Sequence, residues 1–197
     1  MDDKTKLLSI LFQDGINILE RAWRESEKTM WDQYKELTAK QDEAEAVEKA
    51  KGQQPTALSE SSILNYQAQE VAVTIQVVRN SFVLSLYHFW ERRLGEWMQD
   101  RKAAFEAKCA WLTANGLPLA KDALDDLRQL CNLLKHDNPA IASRRKDLLL
   151  NGEPKADEVV LTEAHMEQFF AAVRGSGYPR FKGYVSSVEW IAKQSGS

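Results

Sequence analysis

From Ser61 to Arg93 the chain runs 33 residues without a glycine or a proline, which constrains the fold strongly. A run of that length is about nine helical turns and several times the length of an ordinary strand. Its apolar lane, Val71, Ile75, Val78, Phe82, Leu86 and Phe89, advances in steps of three and four, the spacing of one helix face. β-branched residues crowd positions 71–78, which alone would suit a strand, but the uninterrupted length decides for helix. Val73, Val77, Val83, Leu84, Tyr87, Trp90 and Leu94 occupy the remaining sides, so this helix is expected to be buried nearly all round. Ser59 or Ser61 supplies the hydroxyl that caps its first turn.

The chain before this run reads the same way. Leu8, Leu11, Phe12, Ile16, Leu19, Trp23, Met30, Tyr34 and Leu37 keep helical spacing with no proline among them, which gives one long amphipathic helix. From Lys40 the stripe fades, and Gly52 and Pro55 put the break at about 50–58. After the long run Gly95 is a helix-weakening residue, beyond which Trp97, Met98, Phe105, Trp111 and Leu112 continue the spacing to a turn at 115–118. A third core helix is expected over 119–135, stopped by Asp137-Asn138-Pro139, then a small helix around 141–149 and a turn at 151–154. Thr162 caps a helix at 163–174, and a last amphipathic piece follows at 180–194. The sum is an all-α bundle with two long antiparallel helices and shorter C-terminal helices. It is read as a single domain over 1–194, with an N-terminal helix 4–50, a core bundle 59–174 and a C-terminal helix 180–194.

With 197 residues and 44% hydrophobic content, the chain can bury a full core of its own. Charged residues make up 28% and are well mixed, and the net charge of −3 gives no global polyanion-binding surface, so any nucleic-acid site must be local. Cys109 and Cys131 sit in apolar helical segments without a CxxC pair or Cys/His ligand spacing, which makes them buried thiols and leaves no metal or cofactor site. The tryptophans at 23, 31, 90, 97, 111 and 190 read as core and interface packing, and the acidic run Asp42–Glu48 as a solvated helix end. His165, in the first turn of its helix, reads as a capping or surface residue. No stretch approaches the roughly 20 apolar residues of a membrane span, so a soluble, cytoplasmic protein is expected.

Chemistry-bearing residues converge in one place. Arg128, Asn132 and His136 recur every four residues on the third core helix, so they share one face over an arc of about 80° and about 12 Å of axis. Leu127, Leu130, Cys131 and Leu134 form a separate apolar face. His136 stands at the helix C-terminus, where the carbonyl ends favour a protonated imidazole, and Lys135 adds a cation beside it. On the preceding long helix Asn80, Tyr87 and Glu91 fall within about 40° of one another, and Glu91 is the natural partner for Arg128. A cation, an amide and a titratable ring on one face suit a phosphate group. The plain alternative is that Asn132 and His136 bridge helices while Arg128 sits in an internal ion pair.

Asn132-Leu133-Leu134-Lys135-His136, with the long helix before it, resembles the HEPN superfamily, helical domains that include RNA-cutting toxins and antiviral effectors. The resemblance spans roughly residues 60–175 in helix order and rests on the Asn-x-x-x-His motif; the family's arginine directly before the asparagine is Cys131 here, and Arg128 lies one turn earlier. It implies a metal-independent endoribonuclease in a bacterial defence or toxin–antitoxin setting. There the ribose 2′-hydroxyl attacks its own phosphate, His136 moves the proton, Arg128 stabilises the developing charge and Asn132 assists. It implies a homodimer whose two motif helices face one cleft, with RNA as substrate and an antitoxin or defence protein as partner. The rival expectation is a non-catalytic HEPN-like module that binds a nucleotide or a protein partner.

Overall fold

A computed structural model describes residues 3–151, 153 and 155–177, so the helix expected at 180–194 lies outside the described residues. The protein is all-α: α1 spans Asp3–Ala50, α2 Glu60–Met98, α3 Phe105–Ala114, α4 Lys121–His136 and α5 Glu163–Gly175. The two long helices pack against each other. No strand occurs among the described residues, only an isolated bridge between Leu149 and Val159. None of these helices is long and apolar enough to cross a membrane. Contacts gather the chain into two compact units, one formed by residues 1–21 and 82–197 and the other by residues 22–81.

The 22–81 unit is a helical hairpin. α1 ends in a Schellman motif, with Gln53 N–H donating to Glu48 O and Gly52 N–H to Lys49 O at 3.0 and 3.1 Å, and Gly52 takes the left-handed φ of 66° that this turn demands. At the start of α2 the Ser59 hydroxyl accepts from Ser62 N–H at 3.4 Å, which makes Ser59 the cap. Glu48 lies in the run that reads as solvated, yet its carboxylate accepts from the Ser61 hydroxyl at 2.7 Å and the Ser61 N–H at 3.2 Å, tying the two helix ends together. Those hydrogen bonds hold the Glu48 carboxyl below its ordinary range. Trp23, Ala44, Ala68 and Ile75 are buried, and so is an ion pair between Glu27 and Arg79. The expectation of an α2 buried nearly all round fails here: Ile63, Tyr66, Val73 and Val77 are exposed, because a two-helix layer can cover only one face of each helix.

In the other unit, α2 is buried as expected at Val83, Leu86, Tyr87, Trp90 and Leu94. Phe12 of α1 stacks on Phe89 with ring centroids 5.6 Å apart and tilts against Trp97 at 5.0 Å. α4 contributes Leu124, Leu127, Leu130 and Leu133 to the core, and α5 contributes Met166, Phe169, Phe170 and Val173. The Trp90 indole N–H donates to the Ser176 hydroxyl at 2.8 Å, the buried polar contact that closes this core.

Two local expectations need correction. α2 runs on through Gly95 to Met98; a Cβ at Gly95 would lie 2.8 Å from Arg101 Cα, so the glycine is clearance for residues 99–104 as they cross over it. The exit from α2 is again a Schellman motif, with Asp100 N–H to Gly95 O at 3.0 Å and Gln99 N–H to Glu96 O at 3.3 Å, and Gln99 in left-handed conformation at φ 57°. The small helix around 141–149 resolves into two 3-10 turns, Pro139–Ile141 and Lys146–Leu148. The cap of α5 is as read: Thr162 Oγ1 accepts from His165 N–H at 3.3 Å, and His165 Nδ1 accepts from Thr162 N–H at 3.2 Å.

Candidate functional site

α4 carries Arg128, Asn132 and His136 on one face and ends at His136, with Asp137 behind it in left-handed conformation at φ 49°. Their environments differ. Arg128 is partly buried; its Nε and Nη2 donate to Asp125 Oδ1 at 3.0 and 2.7 Å, and its guanidinium lies 4.9 Å from the Phe105 ring centroid. Asn132 is half-buried, and His136 is exposed. The expected Glu91–Arg128 pair does not form, because a nearer carboxylate takes the arginine from its own helix, one turn back.

Asp125 also accepts from Arg144 Nη1 at 2.5 Å, and the chain of polar contacts continues from Arg144 to Asp126, from Asp126 to Arg145, from Arg145 to Asp147 and from Asp147 to His165 Nε2 at 3.1 Å. This network straps the 139–149 segment, which carries the two 3-10 turns, to α4 and α5. Burial pushes the Asp125 carboxyl up, but the hydrogen bonds from Arg128 and Arg144 outweigh it and hold the group below the usual carboxylate range. Arg128 is thus one end of a structural strap.

Position 131, where the HEPN pattern has its arginine, faces the core. Cys131 is buried, its Sγ is 3.7 Å from Val83 O of α2, and burial pushes its thiol up to about 12, which leaves it protonated and inert. Cys109 is likewise buried, its thiol raised by burial. A guanidinium at 131 would place a charge in an apolar interior.

The other expected residues divide. Lys135 turns away from the triplet, its Nζ 2.5 Å from His88 Nε2 on α2. Lysine is a donor only, so Nε2 is the accepting nitrogen of that ring, and Nδ1 faces the Glu91 carboxylate at 3.8 Å. Glu91 also approaches Lys108 Nζ at 3.7 Å. Tyr87 is buried on the Trp90 ring at 5.8 Å, and burial, then the Glu91 charge, raises its hydroxyl pKa. Asn80 lies in the 22–81 unit, its Oδ1 buried without a hydrogen-bond partner among the described residues.

His88 and Glu91 lead to a cleft of 860 Å³ that the triplet does not line. Its apolar wall is Ile18 and Leu19 from α1, Leu84 and Phe89 from α2, and Ala103. Gly15 makes that wall possible: a Cβ there would lie 2.4 Å from Phe89 Cζ, so only glycine lets the ring press onto the α1 backbone. The polar wall is Arg92, Arg101, Lys102 and Lys108 with His88, and Glu91 is the one carboxylate lining it among the described residues. Lys108 is the anchor, buried in α3, its ammonium donating to Ala103 O and so holding residues 101–103 at the mouth. Arg101 reaches Glu96 only at 3.8 Å, and Arg92 and Lys102 make no ion pair among the described residues. On a chain with net charge −3, this is a concentrated cationic surface, compensated only in part by Glu91 and Glu96, beside an apolar one. The dibasic pairs Arg92-Arg93 and Arg101-Lys102 around Gly95 were its trace in the sequence. Comparison with family models, with curated proteins and with solved structures finds no match for this chain.

Proposed function

We propose that this chain is a non-catalytic, HEPN-like module that binds a nucleotide in the α1–α2–α3 cleft, phosphates on Arg92 and Lys102 and the base against Leu84, Phe89 and Ile18. The observation that carries the reading is the pair of cations, without ion-pair partners among the described residues, at the rim of an apolar cleft. The volume lies within the range of small-molecule sites, about 300–1,000 Å³, and an ionised phosphate gains charge-assisted hydrogen bonds from both cations. The engagement of Arg128 by Asp125 and the burial of position 131 favour binding over cleavage.

Calorimetry with adenosine monophosphate in EDTA tests this. The expected result is saturable binding, weakened about tenfold or more by Arg92→Ala with Lys102→Ala, and a single-stranded RNA oligonucleotide left intact. Absence of binding at millimolar nucleotide, or equal binding by the double variant, would overturn it. A second reading, a metal-independent endoribonuclease with His136 as proton carrier and two α4 ends paired across a homodimer, is favoured by the exposure of His136 beside Asn132 at the end of α4. Cleavage to cyclic phosphate ends, lost in His136→Ala, would support that reading instead.

A further inference from the structure

The 22–81 unit carries a surface unrelated to the cleft. Ile63, Tyr66, Val73 and Val77 of α2 are 45%, 62%, 64% and 57% exposed. At 100° per residue they fall within about 80° of one another. From Ser61 to Val78 the only charged residue is Glu70, although the chain as a whole is 28% charged. The α1 flank of the same hairpin is the reverse, with Arg24, Glu25, Lys28, Asp32, Lys35 and Glu36 all exposed. An exposed face with tyrosine and valine and almost no charge has the composition of an interface core. It continues into a groove of 450 Å³ between the two helices, floored by Met30, Leu37 and Val71 and edged by Gln67, Glu70 and Thr74.

The spacing selects the occupant. Counted from Glu70, the apolar residues stand seven and four before it and three and seven after it, so the lane matches its own reversal to within one residue. An antiparallel copy centred on Glu70 sets Ile63 against Val77 and Tyr66 against Val73, the self-complementarity that a two-fold contact requires. We infer that this hairpin is a self-association surface, in which the α2 lane of one copy docks on the lane and groove of a second and the four helices form one bundle. Each Glu70, held by the hydroxyl of its own Tyr66, meets its counterpart at the axis. That like-charge contact limits the affinity and marks the register. The pairing uses neither the α4 end nor the cleft, so it stands or falls apart from the proposed function.

Sedimentation velocity on the full chain, from low to high micromolar, tests it. The expected result is a monomer–dimer equilibrium weakened about tenfold or more by Val73→Glu with Val77→Glu, and tightened several-fold by Glu70→Gln. His136→Glu and Leu7→Glu leave it unchanged, and circular dichroism verifies that each variant stays helical. A chain monomeric throughout, a dimer lost in His136→Glu but kept in the valine variant, or a dimer weakened by Glu70→Gln would each overturn the inference.

Discussion

The Glu27–Arg79 pair offers the sharpest test of how the hairpin is held together. The two side chains are only 9% and 7% exposed, one on α1 and one on α2, and Glu27 also accepts from the Trp31 indole N–H at 3.2 Å. At hydrogen-bonding distance the mutual attraction is about 5 kcal/mol for an effective dielectric near 20, and the cost of removing two ions from water is of the same order, so the intact pair is close to neutral for stability. Glu27→Leu removes the attraction but leaves the guanidinium buried, and Arg79→Met does the same to the carboxylate; each should cost about 3–5 kcal/mol. The indole N–H adds little, because Trp31 is 37% exposed and water can take its hydrogen bond. Against a total of about 5–15 kcal/mol either change is severe, yet the double variant should return to within about 1 kcal/mol of the parent. Urea melts followed by circular dichroism measure all four corners of the cycle. Additive single effects would refute the reasoning, since they would mean that both charges are solvated and independent.

Three further outcomes follow from the same geometry. Gln99→Gly should stabilise the protein by about 1 kcal/mol in the same melts, since only glycine takes the left-handed turn without steric cost. Cys131→Arg, which supplies an arginine directly before Asn132, should destabilise by about 3–5 kcal/mol and confer no RNA cleavage, because the new charge has nowhere to go but the core; a folded, active variant would contradict the buried placement. Asp125 and Asp147 are both held below the ordinary aspartate range, Asp147 first by its hydrogen bond from Arg145. Their stabilisation is therefore complete above pH of about 4 and lost as pH falls through the lowered values. Urea melts from pH 6 downward should show that loss reduced in Asp125→Asn with Asp147→Asn, and an unchanged acid limb would show the strap to be idle.

What the sequence determined by itself is what depends on neighbours within a few turns. The spans of α1 and α4, the break after Ala50, the Thr162–His165 cap and the inert cysteines follow from apolar spacing, glycine and proline positions and side chains that reach only three or four residues. The shared face of Arg128, Asn132 and His136 was equally legible. Which carboxylate takes Arg128 was not, since the sequence offers Asp125 one turn back and Glu91 on the preceding helix, and only the packing decides between them. The same holds for the cleft: Gly15 is far in the chain from Phe89, Arg92 and Lys102, and their meeting depends on how α1, α2 and the 99–104 crossing settle together. Gly95 shows the point most plainly, because a residue that weakens a helix in isolation is here the only one small enough to let the chain pass over it. Tertiary structure also decided exposure, since a hydrophobic pattern states which side chains seek cover, while the number of packed layers sets which ones find it.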